Sequence, residues 1–262
     1  MTSISHSELF ASMVADDDQY RVTITEDWMQ GRTTYGGLSA AICLEVAQRR
    51  FPDLPPLRSA QVSFIGSAGG EVRADATLLR QGKSVGFVQA DVHGEKGLAT
   101  RCLFAFGAKR DSVFDLHFMP PPDLPRPEDC EVYIQAGGPT FTQHYDSRLA
   151  KGARAGAGSE ENDHYIWVKH RDEKANDVVA LLALADMPPP AMMSMFKEFA
   201  PISSMTWMVN MLTDKPQSKD GWWLLQSRAE NAAQGYTSQD MLVWTSDGEP
   251  VIAGRQSVTI FA

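Results

Sequence analysis

Residues 36–46, GGLSAAICLEV, and residues 177–187, DVVALLALADM, decide the fold, because each opens one copy of a repeated unit. The first is followed by RSAQVSFI (58–65) and GKSVGFVQADVHGEKGLATRCLFAF (82–106). The second is followed by SSMTWMVN (203–210) and GYTSQDMLVWTSDGEPVIAGRQSVTIF (235–261). Laid over one another, Glu45 falls on Asp186, Ser59 on Ser204, Arg101 on Arg255 and Cys102 on Gln256. The offset between the copies grows along the chain, as loop insertions produce. A repeat of this size implies one architecture built twice.

Each copy reads as one helix followed by strands. The run from Gly36 to Arg50 is apolar on most sides, which marks a buried helix. Its counterpart starts at Asp177, a suitable N-cap, and Pro188–Pro190 stop it. Strands are expected at 61–65, 72–79, 84–92 and 98–106, and again at 205–212, 222–229, 238–244 and 251–261, with hairpin turns at HGEKG and at Asp247–Gly248. One helix followed by consecutive strands is an α+β layout, a helix packed on an antiparallel sheet. The MPPPDLPRP run (119–127) can continue neither a helix nor a central strand. The expected division is a first unit at 1–110, a linker at 111–135 and a second unit at 136–262. Residues 149–161, LAKGARAGAGSEE, read as a mobile loop, and GARAGAG lacks the Lys-Ser/Thr of a phosphate loop.

Composition narrows the function. The chain has 262 residues, 43% hydrophobic and 22% charged, which suits a soluble globular protein. A net charge of −9 argues against a nucleic-acid partner, which needs clustered Lys and Arg. Cys43, Cys102 and Cys130 lack metal-type spacing and read as reduced thiols in a cytoplasmic setting. The N-terminal MTSISHSELF does not have the layout of a signal peptide, and no run of about 18 apolar residues suggests membrane insertion. The six histidines show no spacing for a metal, so neither metal nor cofactor is expected.

Several residues could carry chemistry. Asp186 ends an apolar run, and a carboxylate in such a place is costly unless paired or used. Its repeat mate Glu45 is followed by Gln48, Arg49 and Arg50, which favours a structural or vestigial role. Gln256 alternates inward with Val258 and Ile260, and a buried amide needs partners. Ser203, Ser204 and Thr206 offer hydroxyls at the start of the strand after the second helix. Gly36 and Gly37, after Tyr35, open a helix whose free N–H groups suit a developing oxyanion, or simply make a tight turn. Ser39 in GGLSAA fails the G-x-S-x-G pattern at Ala41. The methionine-rich run 187–195 could wall an acyl pocket or pack in the core.

The YGG-helix, LRSAQVSFIGSA (57–68), GKSVGFVQADV (82–92), LLALADMPPP (181–190) and GYTSQDMLVWTSDGEPVIAGRQ (235–256) together resemble the acyl-CoA thioesterase II type of double-hotdog protein. That resemblance implies two antiparallel sheets, each wrapped around a long helix. It also implies acyl-CoA as substrate, and a water held by Asp186, Gln256 and a hydroxyl. The family's Thr lands on Ile202, which leaves Ser203 or Thr206 as substitutes. Paired units of this type set one helix start beside the other unit's acid, so Gly37 and Asp186 would share a site. Tyr35, Gly36 and Gly37 would then bind the substrate and its oxyanion, and Glu45 would mark a degenerate second site. Arg80, Lys83, Lys109 and Arg110 are candidates for the CoA phosphates. A homodimer or higher homo-oligomer is expected. A non-catalytic acyl-thioester-binding protein remains the alternative, and a hotdog hydratase lacks its histidine near Gly36 or Asp177.

Overall fold

A computed structural model describes residues 3–135, 137–198 and 200–261. The expected outer limits at Met1, Ala136 and Ala262 lie outside the described residues. The first half contains α1 (His6–Ala11), β1 (Val14–Asp16), β2 (Gln19–Ile24), β3 (Met29–Gln30), β4 (Thr33–Thr34), α2 (Gly36–Arg50), β5 (Leu57–Phe64), β6 (Gly70–Gln81), β7 (Val85–Gly94) and β8 (Gly97–Gly107). The second contains β9 (Glu131–Val132), β10 (Tyr145–Lys151), β11 (Asp163–His170), α3 (Val178–Ala185), β12 (Ile202–Met211), β13 (Trp223–Ala233), β14 (Tyr236–Thr245) and β15 (Pro250–Ile260).

The eight expected strands are present, most of them longer and with several ends shifted by a residue, whereas β1 and β2 carried no clear signal in the sequence. The sheet order is β1-β2-β6-β7-β8-β5-β12-β15-β14-β13-β11-β10-β9, with every pairing antiparallel. This corrects the expectation of two separate sheets. Strands β5 and β12 would each end a half-sheet with unpaired backbone groups. They pair with one another instead, from Thr206 opposite Ser63 to Asn210 opposite Ser59, and make one continuous sheet. Among the described residues only one helix is long: α2 has 15 residues and α3 has eight.

The two halves carry the same ion pair at matching places. Asp91 on β7 stands opposite Arg101 on β8 and accepts its guanidinium at 2.8 and 2.6 Å. Asp240 on β14 stands opposite Arg255 on β15 and accepts it at 3.1 and 2.8 Å. Both helices lie against the inner face of the sheet and against each other. Burial explains the composition of α2, where Leu38, Ile42, Leu44 and Val46 are all fully enclosed. Residues 108–126 hold no regular element. Trp244 Nε1 donates to Met119 O at 3.1 Å and Trp167 Nε1 to Pro125 O at 2.9 Å, pinning this segment to the second half.

An aromatic stack ties the N-terminal segment to the second half. Trp28 is fully buried, stacks on His144 with ring centres 3.7 Å apart, and donates from Nε1 to Ile4 O at 2.9 Å. His144 Nε2 lies 3.0 Å from Asp27 Oδ2. Truncating a buried aromatic of this size removes its contacts and leaves a cavity. Trp28→Ala is therefore expected to lower the unfolding free energy by about 3–5 kcal/mol, read from the urea midpoint.

Candidate active site

The start of α2 meets the end of α3, and only glycine permits it. A Cβ on Gly37 would stand 2.4 Å from the Ala183 carbonyl oxygen and 3.0 Å from Asp186 Cβ. A Cβ on Gly36 would lie 2.7 Å from both Asp186 Oδ2 and the Phe64 ring. Helix α3 ends at Ala185 because the residue before Pro188 is disfavoured in helical geometry. Asp186 therefore falls at the C-cap, directly beside the N-terminus of α2.

A chain of hydrogen bonds leads away from Asp186. Gln256 Nε2 donates to Asp186 Oδ1 at 2.8 Å. Gln239 Nε2 donates to Gln256 Oε1 at 2.8 Å, and the Ala191 N–H donates to Gln239 Oε1 at 2.9 Å. Gln239 and Gln256 stand opposite one another on β14 and β15, and both are buried. Asp186 retains a small solvent-accessible area although protein surrounds its carboxyl closely. That burial pushes its pKa up to about 7, against the opposing pull of the Gln256 donor and the Gly37 N–H. Two buried polar atoms on this surface have no protein partner, Thr237 Oγ1 and Trp207 Nε1. Thr237 opposes Val258 on the inward side, and Trp207 opposes Gln256.

The structure thus brings Asp186, Gln256, Gly36 and Gly37 together. Ser203 and Thr206 need correction, because both are exposed on the outer side of β12. Ser203 opposes Thr259 and Thr206 opposes Ser257, whereas the inward partners are Ser204–Val258 and Trp207–Gln256. A bulge between Ser204 and Thr206 reverses the alternation, a phase change that simple periodicity misses. Ser204, on the inward side, is the hydroxyl that strand carries toward the site. Gln239 also escaped the sequence reading, although alternation with Met241 and Val243 signals its inward position as it does for Gln256.

Tyr35 is a packing residue here rather than an exposed binding group. It is buried and stacks on Phe141 at 4.1 Å, its hydroxyl meets that of Tyr145, and it donates to Ala183 O at 3.3 Å. Glu45 is held by Arg49 of its own helix at 2.6 Å. Arg80, Lys83, Lys109 and Arg110 lie toward one end of the first half. Leu57 pairs with Phe106 there, while Phe64 at the far end of β5 reaches Gly36, roughly 20 Å along the strand. His6, His164 and His170 are buried, which lowers their pKa to about 4, 4 and 3 and keeps them neutral. The 149–161 loop is pinned to the methionine-rich segment, with Gly156 N–H donating to Met193 O at 2.8 Å and Gly158 N–H to Phe196 O at 3.0 Å. Among the described residues, no helix is long and apolar enough to cross a membrane.

Comparison with known proteins agrees with this architecture. Residues 24–107 match the acyl-CoA thioesterase N-terminal domain and residues 121–260 the acyl-CoA thioesterase C-terminal domain. The chain belongs to the acyl-CoA thioesterase family. Among solved structures it is similar to a hot dog fold protein of unknown function from Alicyclobacillus acidocaldarius, with TM-score 0.88 and 23% identity over 99% of each chain. It is also similar to the acyl-CoA thioesterase II TesB2 from Mycobacterium marinum, with TM-score 0.75 and 16% identity over 97% of each chain. No curated protein matches the sequence.

The raised pKa of Asp186 has a consequence for stability. An acid whose folded pKa exceeds its unfolded value holds its proton more tightly when folded, so stability falls as pH rises between the two. From about pH 4 to above 7 the penalty grows to on the order of 4 kcal/mol. Asp186→Asn removes this titration. Its unfolding free energy relative to wild type should rise between pH 5 and pH 8 in urea denaturation; a constant difference would mean an unshifted Asp186.

Proposed function

We propose that the protein hydrolyses an acyl-CoA thioester to the free acid and CoA, with Asp186 activating the attacking water. The observation that carries this reading is the carboxyl of Asp186, held between an amide donor and a helix N-terminus with a pKa of about 7. A base of that strength takes a proton near neutral pH without being fully protonated there. Water bound to the Asp186 carboxylate attacks the thioester carbon and gives its proton to Asp186. The resulting oxyanion is stabilised by the N–H of Gly36, which stands at the first helical position where no intrahelical acceptor exists. The Gly37 N–H serves Asp186 itself. Collapse of the tetrahedral intermediate breaks the C–S bond. The thiolate leaves readily because a thiol pKa is roughly 8.5, so no separate general acid is required.

The hydroxyls best disposed to hold the water are Thr237 and Ser204, both on the inward side of the sheet. The unpartnered Oγ1 of Thr237 favours it of the two. A protein that merely binds acyl thioesters gains nothing from a buried acid that lowers its stability, so the enzyme reading is preferred.

Thiol release from a panel of acyl-CoAs tests the reading. Asp186→Asn should lower kcat by about 10²–10⁴. Thr237→Val should lower it by about tenfold, the worth of one hydrogen bond. Ser203→Ala and Thr206→Ala should leave it unchanged. In the wild type, kcat should rise with pH through an inflection at about 7, the pH at which the Asp186 base forms. Saturable binding without thiol release from any acyl chain would sink the hydrolase reading.

A further inference from the structure

We propose that Gln239 is a positioning residue: anchored on the Ala191 backbone N–H, it locks the Gln256 amide with its NH₂ group toward Asp186. The catalytic consequence rests on the function proposed above; the locking itself does not. The argument follows from donors and acceptors alone. Ala191 is the first residue of the short 3-10 helix Ala191–Met195, follows Pro190 and is fully buried. Its N–H has no acceptor within that turn, and a backbone N–H can only donate. The group of Gln239 that faces it at 2.9 Å must therefore be the carbonyl oxygen.

Each later link is then forced. With Oε1 spent on Ala191, Gln239 presents Nε2 to Gln256, and Gln256 must answer with Oε1 at 2.8 Å. Gln256 is left with Nε2 toward Asp186 Oδ1 at 2.8 Å. Flipping either amide would set donor against donor or acceptor against acceptor inside a buried surface, which costs about 1–3 kcal/mol per orphaned group. A free amide at position 256 could offer Asp186 either its NH₂ or its C=O. The C=O orientation would stabilise the protonated acid, which is useless as a base. Gln239 removes that choice without touching the reacting atoms. The other titratable groups near Asp186 are Tyr35 and Tyr145, whose phenols burial keeps neutral. The chain of amides is therefore what sets the polarity facing the acid from the sheet.

The test uses two full-chain variants and two readouts. Gln239→Glu keeps the shape but presents only acceptors when ionised, so Gln256 should turn its NH₂ toward residue 239 and its C=O toward Asp186. The proton is then shared along the chain and retained to higher pH. Carboxyl ¹³C titration of Asp186 and the acid limb of kcat should both move up by about one pH unit or more, so kcat at pH 7 falls about fivefold or more while KM stays constant. Gln239→Met removes the anchor without adding charge, so Gln256 is free to turn its C=O to the protonated acid, and the limb should move up in the same direction by less than in Gln239→Glu. In the wild type, NOEs should join the Gln256 side-chain amide protons to Asp186 Hβ; in Gln239→Glu they should join residue 239 instead. Equal activity loss at every pH in both variants would overturn the proposal, as would wild-type NOEs from those protons to Gln239. Should Gln239→Glu not fold, the wild-type NOEs and Gln239→Met decide alone. Should no acyl-CoA be hydrolysed, the function reading fails while the NMR readouts still judge the lock.

Discussion

The close approach of two helix ends is the constraint on which the rest of the site depends. Helix α2 begins with two glycines, and their missing side chains let its first turn press against the last turn of α3. Any Cβ at position 37 would collide with a carbonyl oxygen, which cannot move without unwinding α3. The contact has two electrical consequences. It places Asp186 where protein replaces water, which penalises the charged form, and it sets backbone N–H groups beside the carboxyl, which favours that form. The outcome is an acid balanced near neutrality rather than one fully ionised or fully quenched.

Burial of such a group is tolerable only when its polar atoms are satisfied. Asp186 has Gln256, Gln256 has Gln239, and Gln239 has a backbone N–H fixed by the turn after Pro190. The prolines that end α3 thus also establish the turn that anchors the amide chain at its far end. Two unpartnered polar atoms remain on the same surface, Thr237 Oγ1 and Trp207 Nε1. Unsatisfied buried groups are costly in a finished core and useful where a water or substrate atom completes them.

The first half shows what the same backbone becomes without these residues. Cys102 occupies the place of Gln256, is fully buried and meets the Cys43 thiol. Glu45 occupies the place of Asp186, but its helix continues for more than another turn and supplies Arg49 as a salt-bridge partner. The corresponding position in the second half is Pro190, which lies beyond the end of α3 and offers no cation.

Much of this was legible in residue order. Helix, strand and hairpin signals depend on local periodicity and turn chemistry, so the repeat, the eight strands, Asp186 and Gln256 could be read directly. The facing of Ser203 and Thr206 could not, because the bulge in β12 shifts the alternation by one residue and leaves no signature in SSMTW. The burial of Tyr35 depends on Phe141 and Tyr145, more than 100 residues away, and the distance of the basic cluster depends on which end of β5 meets α2. The union of the half-sheets through β5 and β12 likewise arises between distant segments. Sequence by itself determined which residues could do chemistry and which elements would carry them, since both follow from side-chain type and short-range pattern. Only the tertiary structure decided which met, and in what polarity, because a pKa and an amide orientation are set by neighbours that the chain brings together from far apart.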